Sequence, residues 1–163
     1  MDVKKLYDDY EAYIIEMRRW FHRHPELSLK EQNTSRKIQE ELQGMGIPFE
    51  VLAPNCGVAA TIKGGKEGKT IALRADIDAL PVKEETGLEF TSENEGVMHA
   101  CGHDAHIAMM LGAAKVLNEV KEELAGTVIC VFQVAEETGF GYKEVLDYFD
   151  SIGGVDSVIG LHI

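Results

Sequence analysis

The sequence of 163 residues is poor in positive charge. Lys and Arg together number 16 against 28 Asp and Glu, so the formal net charge at pH 7 is -12. A protein that binds nucleic acid needs basic side chains to neutralise the phosphates, and this balance argues against that class of function. We therefore expect no nucleic-acid partner.

Long apolar runs are missing as well. No segment approaches the roughly 20 apolar residues that a transmembrane helix requires, and residues 1–5 do not resemble the start of a signal peptide. Cysteine is scarce, because the three cysteines are odd in number and widely spaced, unlike a disulfide framework. These absences lead us to expect a reduced, cytoplasmic protein with no membrane partner.

What is present is the composition of one globular domain. Hydrophobic residues make up 45% of the sequence and charged residues 27%, which is enough apolar material for a buried core at this length. Apolar strand-like runs alternate with helical patterns along the chain. This alternation predicts an α/β fold of three layers, with a largely parallel or mixed sheet flanked by helices.

The helices are predicted from apolar residues spaced three and four apart. Such patterns cover residues 3–22, the segment from Ile107 onward, and residues 142–149. Ser28 and Glu31 have the spacing of a capping box, so another helix is expected to begin there. That helix is expected to end near Gly46.

The strands are predicted from short apolar runs bounded by turn residues. These runs cover residues 49–52, 58–63, 70–75, 128–132 and 157–163. Gly64, Gly65 and Gly68 separate the second run from the third, and they predict a hairpin between those two strands. The run over residues 128–132 is apolar throughout, which is typical of a central strand buried on both faces.

The densest group of candidate metal ligands lies in residues 97–106, which hold three of the six histidines. Cys101 and His103 are separated only by Gly102, so they can bind one divalent cation, or one each of two neighbouring cations. A helix follows, and its dipole is expected to lower the pKa of the thiol. From this segment alone, a buried cysteine among capping polar residues is an equal alternative.

Polar residues also end three of the predicted strands. Asp76 follows the third strand, Glu136 and Glu137 follow the fourth, and His162 lies in the last. The carboxyl ends of parallel strands share one edge of a sheet, so these residues are expected to meet near Cys101. The donors suit zinc or manganese, with cobalt or nickel as further possibilities. They are too many for one tetrahedral ion, which predicts two divalent cations able to polarise a carbonyl and hold a hydroxide.

The adjacent glutamates have separate predicted roles. Neighbouring side chains on an extended segment point in different directions, so Glu137 can bind a cation while Glu136 acts as a general base. The alternative is a solvated acidic turn. His99 and His106 flank the cysteine cluster, and three roles are open for them: ligand, substrate contact, or support of a ligand from behind.

Five segments of the sequence resemble a known family. They are Trp20-Phe-His-Arg-His-Pro-Glu26, Leu73-Arg-Ala-Asp-Ile-Asp-Ala-Leu-Pro81, Met98-His-Ala-Cys-Gly-His-Asp-Ala-His106, Phe132-Gln-Val-Ala-Glu-Glu137 and Gly160-Leu-His162. In this order they are similar to the amidohydrolase branch of the M20 metallopeptidases. That branch includes N-acyl-amino-acid amidohydrolases, hippurate hydrolases and auxin-conjugate hydrolases. The resemblance implies a zinc-exopeptidase-like catalytic domain that hydrolyses the amide bond of a small N-acyl amino acid.

The resemblance also implies roles for individual residues in a dinuclear metal site. The positions that match metal ligands are Cys101, His103, Glu137 and His162. Glu136 matches the general base that activates water, and Asp76 matches the acid that orients the site. Arg74 stands where other branches of the family have a metal-binding histidine.

The sequence departs from the family pattern in three places. Val134 replaces a proline, and Thr138–Tyr142 replaces a glycine-rich segment, which is expected to alter the substrate pocket. Family chains also continue beyond the position of His162 with a lid domain that dimerises and contacts substrate, and with a further metal-binding histidine. Residues 1–163 are therefore expected to be the N-terminal part of a catalytic domain whose parent protein is a homodimer.

Two other functions compete with amide hydrolysis. A truncated α/β fragment of this kind can bind metal, or fold without it, and have no turnover. Alternatively, Cys101 can act as a nucleophile with His99 or His103 as its base. The Cys-Gly-His spacing favours metal binding over a nucleophile and its base, and a cysteine mechanism leaves Glu136 and Glu137 without a role.

Overall fold

The computed structural model describes residues 3–163, without the side chains of Val3, Lys4 and Tyr7. Within these residues the chain forms four α-helices, which are α1 (Val3–Arg23), α2 (Gln32–Gly44), α3 (His103–Glu119) and α4 (Tyr142–Ser151). The strands are β1 (Phe49–Val51), β2 (Val58–Lys63), β3 (Lys66–Asp76), β4 (Ala125–Gln133) and β5 (Ser157–Gly160). None of the helices within residues 3–163 has the combination of length and apolar character needed to span a bilayer.

The five strands form one sheet in the order β1-β2-β4-β3-β5. The pairs β1–β2 and β2–β4 are antiparallel, whereas β3 is parallel to both β4 and β5. The predicted mixed sheet flanked by helices is thus confirmed. Because β4, β3 and β5 are neighbours that run in the same direction, their carboxyl ends share one edge of the sheet.

Strand β4 separates two hydrophobic cores, one on each face of the sheet. Cys130 and Phe132 pack into the core beneath α1, α2 and α3, whereas Ile129 and Val131 pack against α4. This alternation follows from the two-residue period of a strand. It produces the three predicted layers, and it explains why residues 128–132 of β4 are all apolar.

The hairpin predicted between β2 and β3 does not form, because β4 lies between them and pairs with both. Gly64 and Gly65 connect β2 to β3 past the position that β4 occupies, whereas Gly68 lies inside β3, at a register shift in its pairing with β4. The physical reason is burial: β4 is apolar on both sides, so the central position removes the most apolar surface from water.

Three predicted boundaries are also corrected. Helix α2 begins at Gln32 after Glu31, whose side chain does not cap it; the Glu26 carboxylate instead accepts the Thr34 amide of its first turn at 2.8 Å. Helix α3 begins at His103 rather than at Ile107. Strand β5 ends at Gly160, so His162 follows the strand instead of lying in it. The corrected start of α3 and the corrected end of β5 place His103 and His162, respectively, at the sheet edge.

Candidate metal centre

The edge formed by the ends of β3, β4 and β5 gathers the residues singled out in the sequence. One oxygen from each of Asp76 and Glu136 and one nitrogen from each of His103 and His162 lie within 4.8 Å of one another. The Cys101 sulfur forms a second group of the same dimension with the two histidines. The two groups share His103 and His162, so the donors form one continuous cluster.

The adjacent glutamates occupy different positions in this cluster. Glu137 Oε1 lies 3.7 Å from His103 Nε2 and is buried without a hydrogen-bond partner among the described residues. Glu136 Oε2 lies 3.8 Å from His103 Nε2 and 3.7 Å from His162 Nε2. The Glu136 side chain is the more exposed, at 30% against 19%, so it faces the open side of the cluster.

The donor atoms fit a divalent cation. His103 Nε2 and His162 Nε2 are 3.3 Å apart, close to the separation of about 3.4 Å expected for two nitrogen ligands on a tetrahedral zinc. His103 Nδ1 is 2.9 Å from the backbone carbonyl of Asp78, so it donates there and leaves the Nε2 lone pair facing the cluster. The buried, unpartnered Glu137 oxygen is a further free donor, because such an atom is costly unless a cation or a hydrogen bond satisfies it.

Asp78 organises the cluster, and the sequence reasoning did not single it out. Its Oδ2 accepts hydrogen bonds from the Ser28 hydroxyl at 2.6 Å and the Glu137 amide at 3.0 Å. Burial raises the pKa of Asp78, but the adjacent His103 ring and these hydrogen bonds outweigh burial and hold the pKa below its usual value. Burial likewise lowers the pKa of His103, and Asp78 and Asp76 reverse that effect and raise it. The available signal was the repeat of aspartate two residues apart directly after a strand.

Asp76 is fully buried and lies among four polar side chains, the most distant of which is His162, whose Nε2 is 3.9 Å from Asp76 Oδ2. Its Oδ2 accepts a hydrogen bond from Arg74 Nη1 at 2.6 Å, and its Oδ1 is hydrogen bonded to His106 Nδ1. Asp76 Oδ1 also lies 3.5 Å from His103 Nε2. His106 thus lies against the acid of the site. Arg74, which stands at the sequence position of a metal-binding histidine in other branches of the family, thus lies beside Asp76.

His99 lies outside both donor groups. It is buried, and in the part of the chain that the structure describes neither ring nitrogen has a hydrogen-bond partner. Burial lowers the pKa of His99 to about 4, so its ring is neutral at physiological pH. The structure does not bring His99 into the ligand cluster.

The predicted lowering of the Cys101 pKa is wrong in this structure. Burial, followed by the hydrogen bond and charge of Glu137, raises the pKa of the Cys101 thiol to about 11. Helix α3 begins only at His103, after Gly102 in a left-handed conformation with φ of 80°, so Cys101 lies outside its first turn and close to carboxylates. A nucleophilic cysteine requires a lowered pKa. The carboxylates that oppose a free thiolate at Cys101 attract a cation, and a bound cation would offset their charge and stabilise the thiolate, so the environment favours a cation-binding role for Cys101 over a nucleophilic one.

A comparison with protein families agrees with this geometry. The model of peptidase family M20/M25/M40 matches residues 72–163, more than half of the chain, from before Asp76 to beyond His162. The chain belongs to this family.

Two curated proteins are similar to this chain over nearly its whole length. Thermostable carboxypeptidase 1 of Saccharolobus solfataricus is 48% identical, covering 99% of this chain and 42% of that protein. The N-acyl-L-amino acid amidohydrolase of Geobacillus stearothermophilus is 42% identical, covering 99% of this chain and 44% of that protein. The chain therefore spans less than half the length of these curated relatives.

A solved structure shows the same fold. A Bacillus subtilis protein described as a dinuclear metal binding peptidase from the M20 family superposes with a TM-score of 0.90 at 45% identity. The match covers 95% of this chain and 44% of that one. The α/β architecture described above is thus that of an M20 peptidase domain.

Proposed function

We propose that the complete protein to which this chain belongs hydrolyses the amide bond of N-acyl amino acids with the help of divalent cations. The observation that carries the proposal is the pair of donor groups at the sheet edge, one with the Cys101 thiol and one with the Asp76 and Glu136 carboxylates, which share the imidazoles of His103 and His162. The proposed substrate class, N-acyl amino acids, is supported by the similarity of this chain to the N-acyl-L-amino acid amidohydrolase of Geobacillus stearothermophilus.

The ligands we propose are Cys101, His103, Glu137 and His162. Two cations, zinc or manganese with cobalt or nickel as substitutes, are supported by the Bacillus subtilis relative, which is described as a dinuclear metal binding peptidase. The number of donor residues at the sheet edge, which exceeds the four that one tetrahedral ion takes, supports them as well. When bound, such cations polarise the scissile carbonyl and lower the pKa of water.

The chain's own contribution to the reaction is proton transfer by Glu136. Its carboxylate is the more exposed of the glutamate pair, so it can reach the attacking water and remove a proton as the oxygen bonds to the carbonyl carbon. The same carboxyl then donates that proton to the amine nitrogen as the carbon–nitrogen bond breaks. The products are a carboxylic acid and a free amine. Asp76 orients the site through His106 and Arg74.

We further propose that residues 1–163 are the N-terminal part of a longer catalytic domain. A lid domain elsewhere in the parent protein would complete the substrate pocket and form a homodimer. The coverage of 42% of the Saccharolobus carboxypeptidase supports this. A reducing, cytoplasmic location is part of the proposal, and the free thiols of Cys56, Cys101 and Cys130 support it.

A second function is favoured by one observation about this chain when it stands alone. The His162 side chain is 44% exposed, and all four residues of β5 are exposed, so the cluster is open on this side. The 163-residue chain by itself is then a metal-binding module without turnover. Elemental analysis combined with an assay on N-acetyl amino acids distinguishes this from an active fragment: bound metal with no hydrolysis supports the module.

The adjacent glutamates provide a matched pair of variants to test the proposed function. In the complete enzyme, Glu136→Gln is expected to lower kcat by about 10²-fold or more, as the loss of a general base does, and to keep its metal. Glu137→Gln is expected to lose metal, because it removes a ligand. Hydrolysis of N-acetyl amino acids and metal content are measured together. Metal loss in Glu136→Gln, or unchanged turnover, would contradict the assignment.

A further inference from the structure

The backbone immediately before the glutamate pair is strained. Ala135 has a φ of 52°, in the left-handed region that residues with a Cβ avoid. Such a conformation persists only where the surroundings fix it. Glu136 and Glu137 follow directly, so whatever fixes Ala135 also sets the direction of both carboxylates.

A buried carboxyl from the other end of the chain contacts this residue. Glu31 is 0% exposed, and its Oε1 accepts the hydrogen bond of the Ala135 amide at 2.8 Å across a separation of 104 residues. Its second oxygen, Oε2, is buried without a partner among the described residues. Glu31 precedes α2, but its side chain bonds to Ala135 instead of capping that helix.

The amides on both sides of Glu136 are therefore held by buried carboxyl groups. Glu31 holds the Ala135 amide, and Asp78 holds the Glu137 amide at 3.0 Å. The Ala135 carbonyl in turn accepts the Phe140 amide at 3.2 Å. The turn that carries the glutamates is thus fixed at two backbone amides and at one backbone carbonyl. Of the two carboxyl groups that hold these amides, Asp78 belongs to the sheet edge, whereas Glu31 comes from the segment before α2.

We propose that Glu31 is a positioning residue for amide hydrolysis, which fixes the Ala135 peptide and thereby aims Glu136 at the substrate. This inference rests on the proposed function for its kinetic consequence. It assigns the buried glutamate no contact with substrate or cation. Because the role depends on an acceptor oxygen with the right reach, and not on charge, a glutamine at this position preserves it.

Glu144 is a matched control. It is also buried, its Oε2 accepts a backbone amide, that of Asn55, at 3.2 Å, and its Oε1 lacks a hydrogen-bond partner within residues 3–163. Its hydrogen bond fixes a loop that carries no proposed ligand or base. A purely structural role for a buried glutamate predicts equal effects at positions 31 and 144.

The test compares Glu31→Met, Glu31→Asp and Glu31→Gln with Glu144→Met in the complete enzyme at saturating metal. Methionine removes the acceptor, and aspartate shortens its reach. Both are expected to lower kcat by about 10²-fold, the effect of a small misplacement of a reacting group, with KM unchanged. Glu31→Gln is expected to keep kcat, and so is Glu144→Met. If Glu31→Met does not fold, the kcat of Glu31→Asp is compared with that of Glu31→Gln, and equal values would contradict the proposal.

Hydrogen exchange at the Ala135 amide is the readout independent of activity. We expect its protection to fall in Glu31→Met and Glu31→Asp and to persist in Glu31→Gln. Lost protection with unchanged kcat would overturn the proposal, as would equal kcat losses in Glu31→Met and Glu144→Met. If the parent enzyme hydrolyses no amide, the proposed function fails, and unchanged exchange protection in Glu31→Met would separately refute the contact.

Discussion

Two buried acids near the site differ because their neighbours differ. Asp78 accepts two hydrogen bonds and lies beside the His103 ring, so its pKa is held below the usual value despite burial. Glu31 has one strong partner, the Ala135 amide, and burial dominates, which raises its pKa from 4.5 to about 7. At neutral pH the first is an anion, whereas the second is partly protonated.

The raised pKa of Glu31 predicts a pH-dependent stability. Folding favours the protonated form, so the free energy of unfolding falls as pH rises from about 4.5 through 7. Glu31→Gln has no charge to bury, so it is expected to gain up to about 3 kcal/mol relative to the parent between pH 4 and pH 8. Denaturant unfolding at both pH values measures this. The exposed control Glu40→Gln is expected to change the free energy of unfolding by the same amount at both pH values. The same pH-independent change in Glu31→Gln would contradict the prediction.

Asp78 is expected to control metal affinity without being a proposed ligand. Asp78→Asn keeps the size of the side chain, but it removes the charge beside His103 and places an amide group where Ser28 or Glu137 donates. We expect metal affinity to weaken by about 10- to 100-fold, as for other groups that orient ligands. Competition with a metal indicator dye measures the dissociation constant, and an unchanged value would be evidence against this role.

At the scale of elements, the turn between β4 and α4 is closely packed. Gly141 has a negative φ of -74°, so a side chain is excluded there by space and not by conformation. An added Cβ would lie 1.6 Å from the Val134 carbonyl oxygen. The turn therefore depends on this glycine, and it carries both Glu136 and Glu137.

Gly141→Ala is accordingly expected to displace this turn. We expect a loss of several kcal/mol in the free energy of unfolding, typical of overpacking against backbone, together with loss of bound metal. Gly139→Ala is the control, because its Cβ would meet nothing within 4 Å although its φ is 69°. That control should cost about 1 kcal/mol and keep the metal. Equal losses in the two variants, measured by denaturant unfolding, would refute the steric argument.

The elements themselves could be predicted from the sequence, because their apolar periodicity is local. The position of β4 between β2 and β3 could not, since strand pairing depends on residues distant in the chain. The capping box failed for the same reason: Ser28 bonds to Asp78 and Glu31 bonds to Ala135. The convergence of donors at one sheet edge could be predicted because parallel strands place their ends together.

At the scale of the whole molecule, β5 presents an open, apolar edge. Val158 and Ile159 are 53% and 52% exposed, and Leu161 and Ile163 beyond the strand are more exposed still. An uncovered edge strand with apolar side chains is a template for pairing with another chain. The 163-residue chain alone is therefore expected to be prone to association.

Sedimentation velocity over a range of concentrations tests this expectation. The chain should self-associate as its concentration rises, and Ile159→Lys should reduce the association, because a charge on an edge strand opposes pairing. Phe140→Lys is the control, since Phe140 is 67% exposed but lies in a turn. Equal suppression by both substitutions would show that general hydrophobicity, and not the strand edge, drives association.

The central place of β4 also fixes an order of events during synthesis. Strands β2 and β3 leave the ribosome in succession, but the strand that joins them begins only about 50 residues after the end of β3. At about 5–20 residues per second this interval lasts about 3–10 s. Throughout it the nascent chain holds two apolar strands whose nearest available partners are each other, in a pairing that the finished sheet does not contain. The efficiency of production should therefore depend on the speed of translation between codons 76 and 125 and on chaperones that bind unpaired strands.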